Sequence, residues 1–325
     1  MNKQKIKLLV VFSLILVVFS VPSWSWAATL YLDPAEGEFS QGETFIEEIK
    51  LDTEGEDINA VKVNLTYQKD ILEIVDFSDG GSVLKLWVER PTINNQQTTD
   101  NEQQGVIFFT GGVPNGFRGE GLIGKIIFKT LSTTNTNAKD QELISGNSSN
   151  ISGNLCTAKI KFLQGTQILL NDGLGTPAKL TTKEANFKIS AKESEIKNGW
   201  QEVLEEDNIP PEPFKIVISK DPSIFEGKYF ITFWTQDKQS GIDHYEVKEG
   251  EWEWQEVTSP YLLRDQSLRS IIRVKAIDKA GNEKVEIAKP TSKIFLNWIV
   301  FVGIILIVGW AIYRFKNKIL IKSPK

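Results

Sequence analysis

Most of this chain alternates apolar and polar residues with a period of two. Phe45, Ile49 and Leu51 share one strand face. Val61, Val63, Leu65 and Tyr67 alternate with Lys62, Asn64 and Thr66, and Ile126 and Phe128 alternate with Lys125, Ile127 and Lys129. Successive side chains of a strand point to opposite faces, so this rhythm predicts half-buried strands. Clusters of Gly, Asp, Asn and Ser separate the runs, which predicts an antiparallel sandwich over 28–190. Neither a long amphipathic helical pattern nor strand–helix–strand alternation occurs there. Residues 191–213 are acidic and carry Pro210, Pro211 and Pro213, the composition of an extended linker. Within it, Trp200, Val203 and Leu204 fall at helical spacing and predict a short helix to Glu206. Strands resume as KYFITFWT (228–235), IDHYEVKE (242–249) and SIIRVKAID (270–278), predicting a second sandwich over 214–290.

The two ends break the alternation. Residues 1–27 begin with Lys3, Lys5 and Lys7, continue as an apolar run from Leu8 to Phe19, and close on Ser25-Trp26-Ala27. That order is the layout of a secretory signal peptide, with cleavage expected after Ala27. The run Ile294 to Tyr313 covers about 30 Å at helical rise, one hydrocarbon core. Trp298, Trp310 and Tyr313 lie near its ends, and Arg314, Lys316, Lys318, Lys322 and Lys325 follow. The expectation is a single transmembrane helix over 294–313, a basic cytoplasmic tail over 314–325, and the remaining chain outside the plasma membrane.

Charge sharpens the division. The chain carries a formal −5. Removing the three lysines of the leader and the five basic residues of the tail leaves −13 for the segment between, which would repel nucleic-acid phosphates. The single cysteine, Cys156, rules out an intrachain disulfide and is expected as a small buried hydrophobe.

One stretch carries an apparent nucleotide motif. In GFRGEGLIGKIIF (116–128), Gly119, Gly121 and Gly124 fit G-x-G-x-x-G, and Gly119, Gly124 and Lys125 fit the front of a P-loop. A dinucleotide fingerprint needs a helix after it, and a P-loop needs Ser or Thr after the lysine. Here a strand alternation follows, and position 126 is Ile. The glycines are therefore expected to serve a loop between strands.

The segments YLDPAEGEFSQGETFIEEIKLDT (31–53), INAVKVNLTYQKDILEIVDFS (58–78), GVIFFTGG (105–112), GEGLIGKIIFKTL (119–131) and NDGLGT (171–176), with a last strand near Phe187–Ile189, occur in an order that resembles a cohesin domain and related carbohydrate-binding modules. The resemblance spans 28–190. It implies a nine-stranded jelly-roll sandwich with an extracellular binding role, since cohesins bind dockerins of polysaccharide-degrading assemblies and related modules bind polysaccharide directly. Two long excursions, 78–104 and 132–155, depart from that pattern. The segment IRVKAIDKAGN after SGIDHYEV resembles bacterial immunoglobulin-like or fibronectin-type-III-like domains, and implies a seven-stranded spacer or adhesive sandwich over 214–288. DKAGN (278–282) supplies a turn into its last strand.

Candidate chemistry is sparse. His244, the only histidine, lies in a strand pattern with no nucleophile motif beside it, and clustered His and Cys ligands for zinc are lacking. Asp52, Glu54, Glu56 and Asp57 cluster in DTEGED and could hold a calcium ion, but their spacing does not match an EF-hand loop, so a solvated turn is expected. No carboxylate pair stands out for glycoside cleavage. The aromatic residues offer more, because sugar rings stack on flat aromatic faces. Trp87 lies in the first excursion beside Arg90, Phe117 and Arg118 approach the glycine stretch, and Trp252 and Trp254 share a face in EGEWEWQE. These six are the candidate ligand contacts. The sequons at Asn64, Asn147 and Asn150 matter only in a glycosylating host.

The expectation is an all-β chain, a jelly-roll (cohesin-like) sandwich followed by an immunoglobulin-like sandwich with one C-terminal transmembrane helix. It acts without catalysis and without a cofactor, as a surface-anchored binder of polysaccharide or of a dockerin-like protein. The alternatives are a structural or adhesion protein with no glycan ligand and, more remotely, a glycoside hydrolase.

Overall fold

The computed structural model describes residues 27–91, 97–98, 104–131, 155–190, 197–289 and 293–320. The expected leader up to residue 26, parts of both long excursions, the sequons at Asn147 and Asn150, and the end of the basic C-terminal segment lie outside the described residues. The chain divides into two compact units. Unit 1 comprises Met1–Ser78 and Ser82–Trp200, and unit 2 comprises Asp79–Gly81 and Gln201–Lys325. The described residues are mostly β-sheet.

Unit 1 contains β1 (Ala28–Asp33), β2 (Glu36–Ser40), β3 (Thr44–Asp52), β4 (Ile58–Gln68), β5 (Leu72–Ser78), β6 (Leu86–Glu89), β7 (Gln97–Thr98), β8 (Gln104–Phe117), β9 (Glu120–Thr130), β10 (Leu155–Phe162), β11 (Gln167–Leu170), β12 (Leu180–Lys183) and β13 (Ala185–Ser190). One sheet runs β12-β1-β3-β9-β5 and holds five strands. The other holds eight, in the order β2-β13-β10-β4-β8-β6, with β11 beside β4 and β7 beside β8. The family resemblance implies nine strands. The described residues hold more because short strands such as β2, β6, β7, β11 and β12 join the edges of the longer ones. Among neighbours in these sheets, β1 with β12 and β13 with β2 run parallel.

The period-two pattern sets what lies between the sheets. Phe45, Ile49 and Leu51 of β3, Val61, Val63, Leu65 and Tyr67 of β4, and Ile126 and Phe128 of β9 are all buried in one interior. Its rings come from both sheets. Phe45 stacks on Phe39 at 4.1 Å between centroids and meets Phe187 at 5.0 Å, while Tyr67 meets Phe128 edge-on at 5.4 Å. Cys156 is a free thiol, half-buried against this interior rather than fully enclosed.

The glycine stretch is structural. Residues 120–130 form β9, so no helix follows the glycines. Gly119 makes the turn with φ of +107°, a conformation that L side chains rarely adopt. Gly121 and Gly124 lie within the strand, where a Cβ would meet Val83 Cγ1 at 2.5 Å and Phe77 Cζ at 2.6 Å respectively. Those two positions lack side chains because neighbouring apolar groups occupy the space.

Unit 2 contains β14 (Val217–Asp221), β15 (Ile224–Thr232), β16 (Ile242–Glu249), β17 (Gln255–Val257), β18 (Tyr261–Leu262), β19 (Ile272–Asp278) and β20 (Glu283–Ala288). They form a three-stranded sheet, β14-β15-β18, and a four-stranded sheet, β17-β16-β19-β20. Ile231, Phe233, Val247, Leu263, Ile272 and Val274 make its core. The short helix expected near Trp200 is α1 (Gly199–Glu206), with Trp200 buried.

The C-terminal segment corrects an expectation. A helix, α2 (Lys293–Leu320), does form. Among the described residues, however, no helix is long and apolar enough to cross a membrane. Among the described residues the fold class is a β-sandwich architecture, and the expected transmembrane helix is not borne out.

Gly124→Ala is expected to destabilise the protein by about 1–3 kcal/mol, the usual cost of overpacking a filled interior. Urea unfolding followed by circular dichroism measures it, and an unchanged midpoint would refute the packing role of Gly124.

Candidate functional site

The outer face of the eight-stranded sheet is the broadest candidate surface of unit 1. In β8, Ile107, Phe109 and Val113 are buried. By alternation Val106, Phe108 and Thr110 turn outward, where each is half-buried. Register sets them beside polar residues of β4, with Thr66 opposite Val106, Asn64 opposite Phe108 and Lys62 opposite Thr110. On the other side of β4, β10 presents exposed Thr157, Lys159 and Lys161. At the opposite margin β6 pairs with β8, Leu86 facing Gly112. Leu86 is 54% exposed and Val88 is 73% exposed. The outer side thus carries lysines on β4 and β10 and apolar residues on β8 and β6, with Thr110 opposite Glu89 between Phe108 and Leu86. Sequence reading passed over these outward apolar residues, although the alternation in GVIFFTGG already assigns Phe108 and Phe109 to opposite faces.

The six candidate contacts fall into separate groups. Trp87 turns inward, its ring 5.5 Å from Phe77 and 5.7 Å from Phe109. Arg90 covers the ring, its guanidinium carbon 5.4 Å from the centroid, so the two residues are together but the indole belongs largely to the core. Phe117 is half-buried against the same interior, close enough that a Cβ on Gly121 would meet its Cζ at 2.7 Å. Arg118 is exposed, donates to the Gly55 carbonyl at 3.3 Å and lies 3.7 Å from Asp57. Trp252 and Trp254 belong to unit 2. Trp252 is 46% exposed with the Arg264 guanidinium 5.8 Å from its ring centre, and Lys275 Nζ lies 4.7 Å from the centre of Trp254.

The remaining polar candidates sort by geometry. His244 Nδ1 contacts its neighbour Asp243 at 2.6 Å at the surface. In DTEGED, the Asp52 carboxylate accepts from the Glu54 amide at 2.9 Å, and the Glu56 amide donates to the Thr53 carbonyl at 3.0 Å, which makes the segment a turn.

Among the described residues, the group that could hold a metal ion is another one. Asp207, Asp237 and Asp278 of unit 2 are all buried, with one carboxylate oxygen from each within 4.8 Å of the others. Hard oxygen donors of this kind suit a cation of the calcium or magnesium type. Each carboxylate also organises backbone. Asp237 accepts from the amides of Gln239 and Gly241 at 2.8 and 2.9 Å. Asp207 accepts from the amides of Ile209 and Ser240. Asp278 accepts from the Asn282 amide at 2.8 Å and from its side chain at 3.0 Å. Burial pushes the Asp278 carboxyl above its ordinary range; the Asn282 hydrogen bonds oppose this, and the charges of Asp207 and Asp237 reinforce it. Sequence reading assigned Asp278 only to the DKAGN turn. The separation of the three aspartates along the chain left no local spacing to find.

No family model matches this chain, and no curated protein matches it. Its neighbours among solved structures are cohesin domains, covering about half the chain. A non-cellulosomal cohesin from the archaeon Archaeoglobus fulgidus is 20% identical at a TM-score of 0.34, over 50% of this chain and 91% of its own. The cohesin–dockerin complex of type I from Clostridium thermocellum gives 16% identity and a TM-score of 0.35, over 51% and 94%. A type I cohesin from Pseudobacteroides cellulosolvens gives 13% and 0.35, over 52% and 95%.

Because the Trp87 ring packs inward, Trp87→Ala is expected to act first on stability, by about 2–4 kcal/mol in the range of large-to-small core changes. Differential scanning calorimetry tests this, and an unaltered melting temperature would return Trp87 to the surface as a free contact.

Proposed function

We propose that the chain is a non-catalytic binding protein and that unit 1 docks a partner protein of the dockerin type on the outer face of its eight-stranded sheet. The observation that carries this reading is the exposure of Leu86 and Val88 at the β6 edge, with half-buried Val106 and Phe108 on β8, beside lysine-bearing strands. A pre-formed sheet face of this kind changes shape little on binding and offers apolar contact on one side and positive charge on the other. Lys62, Lys159 and Lys161 favour a partner that is acidic where it meets them. The reading sets the protein on the outer side of the cell, supported by the lysine, apolar and small-residue order of its first 27 residues.

Titration of the full chain with a dockerin-type protein by calorimetry tests the proposal. Phe108→Ala combined with Leu86→Ser is expected to weaken binding by tenfold or more with little loss of melting temperature. Equal affinity in the folded double variant would remove this face from recognition.

A second reading keeps a polysaccharide as ligand and is favoured by Trp252, whose ring is exposed and backed by Arg264. A glycan array separates the two. Retention on a polysaccharide that Trp252→Ala abolishes would support the glycan reading, and retention on none would leave protein recognition or a purely structural role.

A further inference from the structure

The inward face of β3 reads Phe45, Glu47, Ile49, Leu51. Glu47 therefore enters the apolar interior of unit 1, and it is fully buried. Register places it opposite Ile126 of β9, which is also fully buried. Neither carboxylate oxygen of Glu47 has a hydrogen-bond partner. Such a group cannot hold a charge there, because an ionised carboxylate removed from water with no compensating donor or cation is strongly disfavoured.

The surrounding charges deepen the effect. On β1 the titratable neighbour is Asp33, and on β3 it is Glu48, both negative. The nearby cation, Lys50, lies on the opposite face of β3 and is bound to Asp33 and Glu48. On β9, Lys125 pairs in register with Glu48 on that same outer side. From the facing sheet, β10 and β13 contribute Ala158, Ile160, Ala185, Phe187 and Ile189 to the interior, all without charge.

We propose that Glu47 is a one-proton latch: the two sheets of unit 1 close over its neutral carboxyl, and losing that proton loosens them. Burial, with the charges of Asp33 and Glu48, pushes this carboxyl from 4.5 up to about 9. The sign follows directly. The folded state binds the proton more tightly than the unfolded chain, so the stabilisation is complete below about 4.5 and is lost as pH rises through about 9. Between those limits unfolding releases one proton, and the unfolding constant of unit 1 rises about tenfold per pH unit. Unit 1 is thus tightest in acid, the opposite of a sandwich held by surface carboxylate ion pairs.

The test is denaturant unfolding of the full chain from pH 5 to 9, with hydrogen exchange on peptides from 44–52 and 120–130 reporting unit 1 alone. The wild-type chain is expected to show the tenfold-per-unit rise, and Glu47→Gln and Glu47→Met are both expected to flatten it. Equal slopes in wild type and either folded variant would overturn the proposal. Infrared difference spectroscopy needs no altered fold: the carbonyl stretch of a protonated carboxylic acid is expected at neutral pH in the wild type and missing in Glu47→Gln. Its absence from the wild type at pH 7 would overturn the proposal too.

Discussion

The ring contacts between Phe39, Phe45, Phe128, Phe187 and Tyr67 join the two sheets of unit 1, and much of its architecture depends on them. Phe45 and Phe128 come from the five-stranded sheet, and Phe39, Phe187 and Tyr67 from the eight-stranded one. With one cysteine in the chain, no intrachain disulfide can hold the layers. Apolar burial and close ring packing have to do so. That requirement fixes register, since a one-residue slip in β3 would send Phe45, Ile49 and Leu51 to the outer face. It also removes side chains where rings already fill the space, as at Gly124 against Phe77.

The same constraint shapes the candidate surface. Every ring turned inward leaves its strand neighbours outward. Phe109 goes to the core and Phe108 to the outer face; half-buried Trp87 packs against the core and Leu86 and Val88 are exposed. The outward residues of β8 and β6 are thus the other half of the alternation that builds the interior. Glu47 is, among the described residues of unit 1, the charged-type side chain that this alternation turns inward: β3 places an inward residue at that position, and a carboxyl occupies it.

Unit 2 solves a related problem with polar groups. Its apolar core is smaller, and buried carboxylates organise its loops. Glu249 accepts from the amides of Arg264 and Asp265 and from the Tyr261 hydroxyl. Asp207 accepts from the distant Ser240 amide, while Asp237 and Asp278 close local turns at Gly241 and Asn282. Hydrogen bonds to buried carboxylates are stronger than neutral ones, which lets a small sandwich keep long connections in place.

The sequence by itself determined the strands and their faces, because period-two alternation is a local property and burial between sheets requires it. β16 appears with the bounds read from IDHYEVKE, and the turn role of Gly119 follows from the strand after it. The inward position of Glu47 was also legible from its parity with Phe45 and Ile49, but parity alone does not say whether a carboxyl finds a donor. Only the tertiary structure decided that it finds none, that Trp87 faces the core while Leu86 does not, and that Asp207, Asp237 and Asp278 converge. Those outcomes depend on which strands become neighbours and what space remains between layers, and sheet pairing over long separations is not encoded in any local spacing. The C-terminal run shows the same limit. Its apolar residues predicted a helix, and α2 forms, but among the described residues no helix is long and apolar enough to cross a membrane.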